Sequence, residues 1–133
     1  MKTIIFSFLV LATCFVSAQL TVTTNFREDG IWDNAAEKWD IISTEEGTTI
    51  MNFNTELTSF RHITGSISST YTILDWDYDE NEILYEMTVK SDVGNEYDFL
   101  IDGINEYVIF FYYDDAGKYR MVRHTIKETW YDE

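Results

Sequence analysis

The densest set of metal-ligating groups in the chain is Asp75-Trp76-Asp77-Tyr78-Asp79-Glu80-Asn81-Glu82, with Glu86 twelfth when Asp75 is counted first. That is the spacing of a calcium loop. Such a loop needs glycine at its sharp turn and helices on both sides. Here Glu80 holds the glycine position, the flanks read as strands, and Ile83 falls one place late. The stretch therefore reads as an acidic hairpin tip with Trp76 turned inward, and no metal or other cofactor is expected. General acid–base chemistry would fall to the two histidines, His62 and His124, each preceded by an arginine, Arg61 and Arg123. Adjacent residues on a strand point to opposite faces, so neither pair is a ready-made site. There is no nucleophile elbow, phosphate loop or closely spaced histidine cluster. The reading is of a protein that is not an enzyme; catalysis would gain ground if His62 and His124 met near a carboxylate in space.

These residues sit in a chain that opens like an exported one. Lys2 precedes an apolar run from Ile4 to Ala12, and Val16 and Ala18 supply a small-residue cleavage site. This is the pattern of a secretory signal peptide over residues 1–18, with Gln19 as the mature N-terminus. A rival reading takes Leu11-Ala12-Thr13-Cys14 as a lipoprotein site acylated at Cys14. Under the first reading the sole cysteine leaves with the leader, so stability must come from packing rather than disulfides. Residues 19–133 suffice for one domain and are too few for two. The expected location is periplasmic or extracellular.

Nine basic residues against 24 acidic ones give a net charge of −15, and removal of Lys2 makes it more negative by one. Nucleic acid and anionic membrane surfaces are thereby disfavoured as partners, because both are polyanions. Solubility is the simplest use of such a surface, and the chain is expected to be monomeric.

Proline is absent, and short runs rich in Val, Ile, Thr, Phe and Tyr alternate with Asp, Asn and Gly. We read strands at 20–26, 39–44, 48–53, 57–63, 68–77, 82–90, 95–101, 105–113 and 118–127, with one possible helical turn, Asp33 to Lys38, capped by Asp33. The fold class is all-β: an antiparallel meander of eight or nine strands forming a small barrel or sandwich. Ser91 to Asn95 and Asp114 to Lys118 share an Asp-x-Gly core suited to three-residue loops with left-handed glycine. An odd loop pairs odd with odd residues. The first hairpin then places Val89 opposite Tyr97, Met87 opposite Phe99 and Tyr85 opposite Ile101, while Lys90 meets Glu96 and Thr88 meets Asp98 on the other face. A loop of three to five residues including Ile104, chosen to keep this parity, extends the odd-numbered core face from Ile83 to Met121.

On that reading the even face of the last hairpin breaks an otherwise polar exterior with Val108, Phe110, Tyr112, Val122 and Ile126. Arg120 stands opposite Tyr112, and His124 opposite Val108. The residues Val108, Phe110, Tyr112, Arg120, Val122 and His124 thus form the expected binding patch, unless early strands or the turn with Trp32 and Trp39 cover it.

Gly30-Ile31-Trp32 resembles the Gly-x-Trp of lipocalin-like barrels, a resemblance that implies a tryptophan closing one barrel end beneath Arg120 or Arg123. More broadly, the leader and the Tyr- and Asp-rich hairpins resemble small exported β-proteins of Bacteroidota, which implies no activity. The functional expectation is a non-catalytic binding or interaction module for a protein, a glycan or a small apolar ligand. The competing expectation is a lipocalin-like carrier whose core is hollow.

Overall fold

The computed structural model describes residues 19–132; the expected leader, with Cys14 and the expected cleavage motif, lies outside the described residues. The chain forms a closed barrel of eight antiparallel strands in sequence order. They are β1 (Gln19–Asp33), β2 (Lys38–Phe53), β3 (Ser59–Thr64), β4 (Ile67–Asp79), β5 (Leu84–Ser91), β6 (Glu96–Asp102), β7 (Tyr107–Tyr113) and β8 (Tyr119–Asp132). Between barrel and sandwich the chain chooses the barrel, in which no sheet edge is left open. Two expected strands, 39–44 and 48–53, merge into the long β2. The reason is that β1 runs on to Asp33 and pairs along β2 from Leu20–Phe53 to Asp33–Lys38, with bulges absorbing the irregularities. The expected helical turn is a tight turn instead. Asp33 Oδ1 accepts the amide hydrogens of Ala35 and Ala36 at 2.9 and 3.1 Å, but Lys38 already pairs with Asp33.

Both Asp-x-Gly loops close as their sequence requires. The Ser91 amide donates to Asn95 O and the Asp114 amide to Lys118 O, while Gly94 and Gly117 take φ of 92° and 79°. Val89–Tyr97, Met87–Phe99, Tyr112–Arg120 and Val108–His124 are all paired as expected.

The parity between β6 and β7 is not as expected. Asp102 pairs with Tyr107, leaving the four-residue loop 103–106, so Phe99 faces Phe110 and Ile101 faces Val108. An even loop couples odd residues to even ones. The interior face is therefore odd on β5 and β6 and even on β7 and on β8 as far as Ile126, after which a bulge brings Thr129 inward. Tyr107, Ile109, Phe111, Tyr119 and Met121, expected in the core, stand on the outer face.

The interior is packed. Phe53, Phe60 and Phe99 are fully buried around ring contacts of 4.7 to 6.2 Å, and Phe110 joins Phe99 edge-on at 4.7 Å. Val22, Met51, Val89 and Val108 fill the space between these rings. A void of about 20 Å³ lies among Leu20, Tyr85, Ile101, Ile126 and Thr129.

Candidate functional site: an aromatic cleft between two hairpin tips

The residues of the expected patch separate under the reversed parity. Val108, Phe110 and His124 are buried in the barrel at 0, 5 and 3% exposure, and Val122 packs against the same core. Tyr112 and Arg120, paired across β7 and β8, are half-buried at the barrel end where the three-residue loops lie. Arg120 is engaged by the Asp114 carboxylate, whose pKa this hydrogen bond lowers. The six residues share one face, but it is the inner one.

That inner face brings the two histidines together. His62 and His124 lie 6.0 Å apart between ring centroids, and both contact Phe110 edge-on. Burial, reinforced by the neighbouring His62 and Arg27, lowers the pKa of His124 to about 3. Burial and then Arg27 lower that of His62. Arg27 itself is paired with Asp29 at 3.0 Å. The imidazoles are thus held neutral among aromatic rings. Burial also raises the phenols of Tyr71 and Tyr112, which share this end of the barrel with Tyr97.

The aromatic surface forms on the opposite side of the wall. Gly30 on β1 carries no side chain between β2 and β8. A Cβ there would lie 3.1 Å from Met121 Cε and 3.4 Å from Ile41 Cδ1, so these two side chains close over the glycine and Met121 is buried. One step further along β1 and β2, Trp32 pairs with Trp39, ring edge to ring face at 5.4 Å. Trp39 also reaches Phe111 at 5.9 Å and Tyr119 at 5.5 Å, and Tyr119 continues to Tyr113 at 4.8 Å. Rings from four strands thereby form one band.

Beyond the band, the tips of the β1–β2 and β7–β8 hairpins enclose a cleft of about 710 Å³. Trp32, Trp39, Tyr113 and Tyr119 line it together with Asn34 and the Ala116-Gly117-Lys118 turn. No carboxylate is among the lining residues, in a chain with 24 acids. Two flanking acids are engaged: Asp33 caps its own turn, and Asp114 accepts from the Ala116 and Lys118 amides and from Arg120, while Asp115 beside Ala116 is exposed. No family model, curated protein or solved structure matches the chain. The site must be read from its own chemistry.

Of the other sequence candidates, the acids of the calcium-like stretch stay together on β4 and β5, where Asp77 pairs with Glu86. Asp75, Asp77 and Asp79 lie on β4 and Glu86 on β5, and Asp79 Oδ1 accepts from the Asn81 and Glu82 amides. Trp76 contacts Tyr85 at 6.0 Å and is 46% exposed rather than enclosed. Arg123 is bound to Glu28 at 2.9 Å and lies over the Tyr107 ring. The cleft residues were visible in the sequence as aromatic, but β7 is apolar on both faces and β8 mixes apolar and charged residues on both. Polarity there gives no sign of which face is the outer one.

Proposed function

We propose that this chain is an exported, non-catalytic binding module, monomeric, whose contact site is the cleft between the β1–β2 and β7–β8 hairpin tips. The observation that carries this reading is the contrast between a filled core and an open aromatic cleft. A volume of about 710 Å³ falls within the roughly 300 to 1,000 Å³ of small-ligand sites, whereas a void of about 20 Å³ holds no such ligand. Half-exposed Trp and Tyr side chains at a concave site supply large contact area with little conformational entropy to lose on binding. The neutral, buried pair His62 and His124 serves packing rather than proton transfer.

The competing carrier reading draws on the eight-stranded barrel itself, a scaffold able to hold a small ligand when its interior is hollow. Backbone amide shift mapping separates the two. Titration with a pooled panel of soluble polysaccharides and peptides is expected to move the amides of 32–39 and 113–119. Stoichiometric binding of dodecanoic acid, with shifts at Val89, Phe99 and Val108, would instead establish a carrier.

A further inference from the structure

We infer that the ligand of the cleft is an uncharged carbohydrate chain; the inference rests on the cleft being the binding site. Four features of the lining select this class. The first is the set of aromatic faces. Tyr113 stands 71% exposed, and successive rings are turned by 38° between Tyr113 and Tyr119, 36° between Tyr119 and Trp39, and 70° between Trp39 and Trp32. An aromatic face carries partial negative charge, which the weakly positive C–H hydrogens on one side of a pyranose ring complement. Because successive rings are turned relative to one another, the aromatic lining is not planar, which suits a single twisting chain better than a flat polymer surface.

The second feature is the polar complement. Asn34 offers an amide donor and acceptor, Tyr113 and Tyr119 offer hydroxyls, and Lys118 offers an ammonium group, all beside the rings. A ligand that is apolar throughout would leave them unpaired, whereas one bearing hydroxyls around an apolar ring face satisfies both sets.

The third is charge. With no carboxylate and one ammonium group, Lys118, in the lining, a cationic ligand finds no partner within the cleft itself, and a polyanion meets repulsion from a molecule of net charge −15. The fourth is the low wall at Ala116 and Gly117, where a Cβ built on Gly117 meets nothing within 4 Å. The cleft is therefore open along one side, as a site gripping the interior of a chain requires.

Native gels cast with soluble neutral polysaccharides (mixed-linkage β-glucan, arabinoxylan, galactomannan, starch) or with anionic polygalacturonate test this. The protein of residues 19–133 is expected to be retarded by at least one neutral polymer. Trp39→Ala and Tyr113→Ala should each weaken that retardation at least tenfold in apparent dissociation constant, while Lys127→Met, an exposed site on β8 outside the cleft, stays within about threefold. Tyr113 is so exposed that its truncation leaves the barrel folded, which near-ultraviolet circular dichroism checks. Retardation by polygalacturonate alone, or retardation indifferent to both aromatic truncations, would overturn the inference. So would the absence of retardation in every gel. In that last case peptides that still shift the amides of 32–39 and 113–119 would leave the cleft as the binding site and refute the ligand class alone, whereas shifts elsewhere would refute both.

Discussion

His124 shows what the barrel does to a single ionisable side chain. At 3% exposure, beside His62 and with Arg27 in the same field, it must shed its proton to be buried, and its pKa drops from 6.5 to about 3. The unfolded chain binds that proton near pH 6.5, so between 6.5 and 3 the unfolded state holds more protons and stability falls as the pH falls. The contribution is fully present above about 6.5 and lost progressively toward 3. Urea unfolding at pH 7 and pH 5 should show a loss on the order of 1 to 2 kcal/mol in this window, from about 1.4 kcal/mol per unit of pH well below the unfolded pKa. His124→Leu, which keeps an apolar side chain of similar reach, should flatten the slope. Thr129 makes the opposite case. Its Oγ1 is buried without a hydrogen-bond partner next to the 20 Å³ void. Thr129→Val keeps the shape and removes the stranded hydroxyl, so chemical denaturation should show a gain of about 1 kcal/mol.

At the scale of strands and loops, the deciding object is the loop 103–106, because its even length turns the face of everything after it. Phe110→Ser and Phe99→Ser should each cost ~3 to 5 kcal/mol, since both rings lie in the core, whereas Phe111→Ser on the outer wall should cost clearly less. Equal costs at Phe110 and Phe111 in denaturant titrations would contradict the register. The hairpins with odd loops were legible because glycine marks the left-handed position and because Lys90–Glu96 and Thr88–Asp98 identify a polar face. The four-residue loops carry no such mark. Their left-handed residues are Glu37, Ile83 and Glu106, with φ of 52°, 49° and 65°, types that backbone preference places elsewhere. What they share is an aspartate four places earlier, Asp33, Asp79 or Asp102, whose Oδ1 accepts two amide hydrogens of the turn. That pattern, present three times in the sequence, would have given the even parity. Ile83 is the most strained of the three, being β-branched. A Cβ on Gly103 would meet Ile83 Cγ2 at 2.5 Å, so Gly103→Ala should destabilise the protein, and the double variant with Ile83→Gly should recover much of the loss.

For the whole molecule, the meander sends alternate turns to opposite ends of the barrel. The turns at 34–37, 92–94 and 115–117 share one end, and the paired termini Gln19 and Asp132 lie at the other. The chain therefore enters β1 at Gln19 at the end opposite the cleft. Intact mass of the secreted protein should show Gln19, free or cyclised, as its first residue; a lipid-modified Cys14 in the membrane fraction would replace that reading. The same global view governs salt. Among the described residues, the ion pairs Arg27–Asp29, Arg120–Asp114 and Arg123–Glu28 engage three basic residues, so the large acidic excess acts as mutual repulsion across a closed, compact surface. Added salt screens repulsion beyond a Debye length of about 10 Å at 0.1 M, while the short, partly buried pairs are screened much less. Raising sodium chloride from about 0.01 to 0.3 M at pH 7 should therefore raise the thermal midpoint by several degrees. A fall in the midpoint would show that the attractive pairs outweigh the excess charge, and the acidic surface would then need a role other than keeping the barrel soluble.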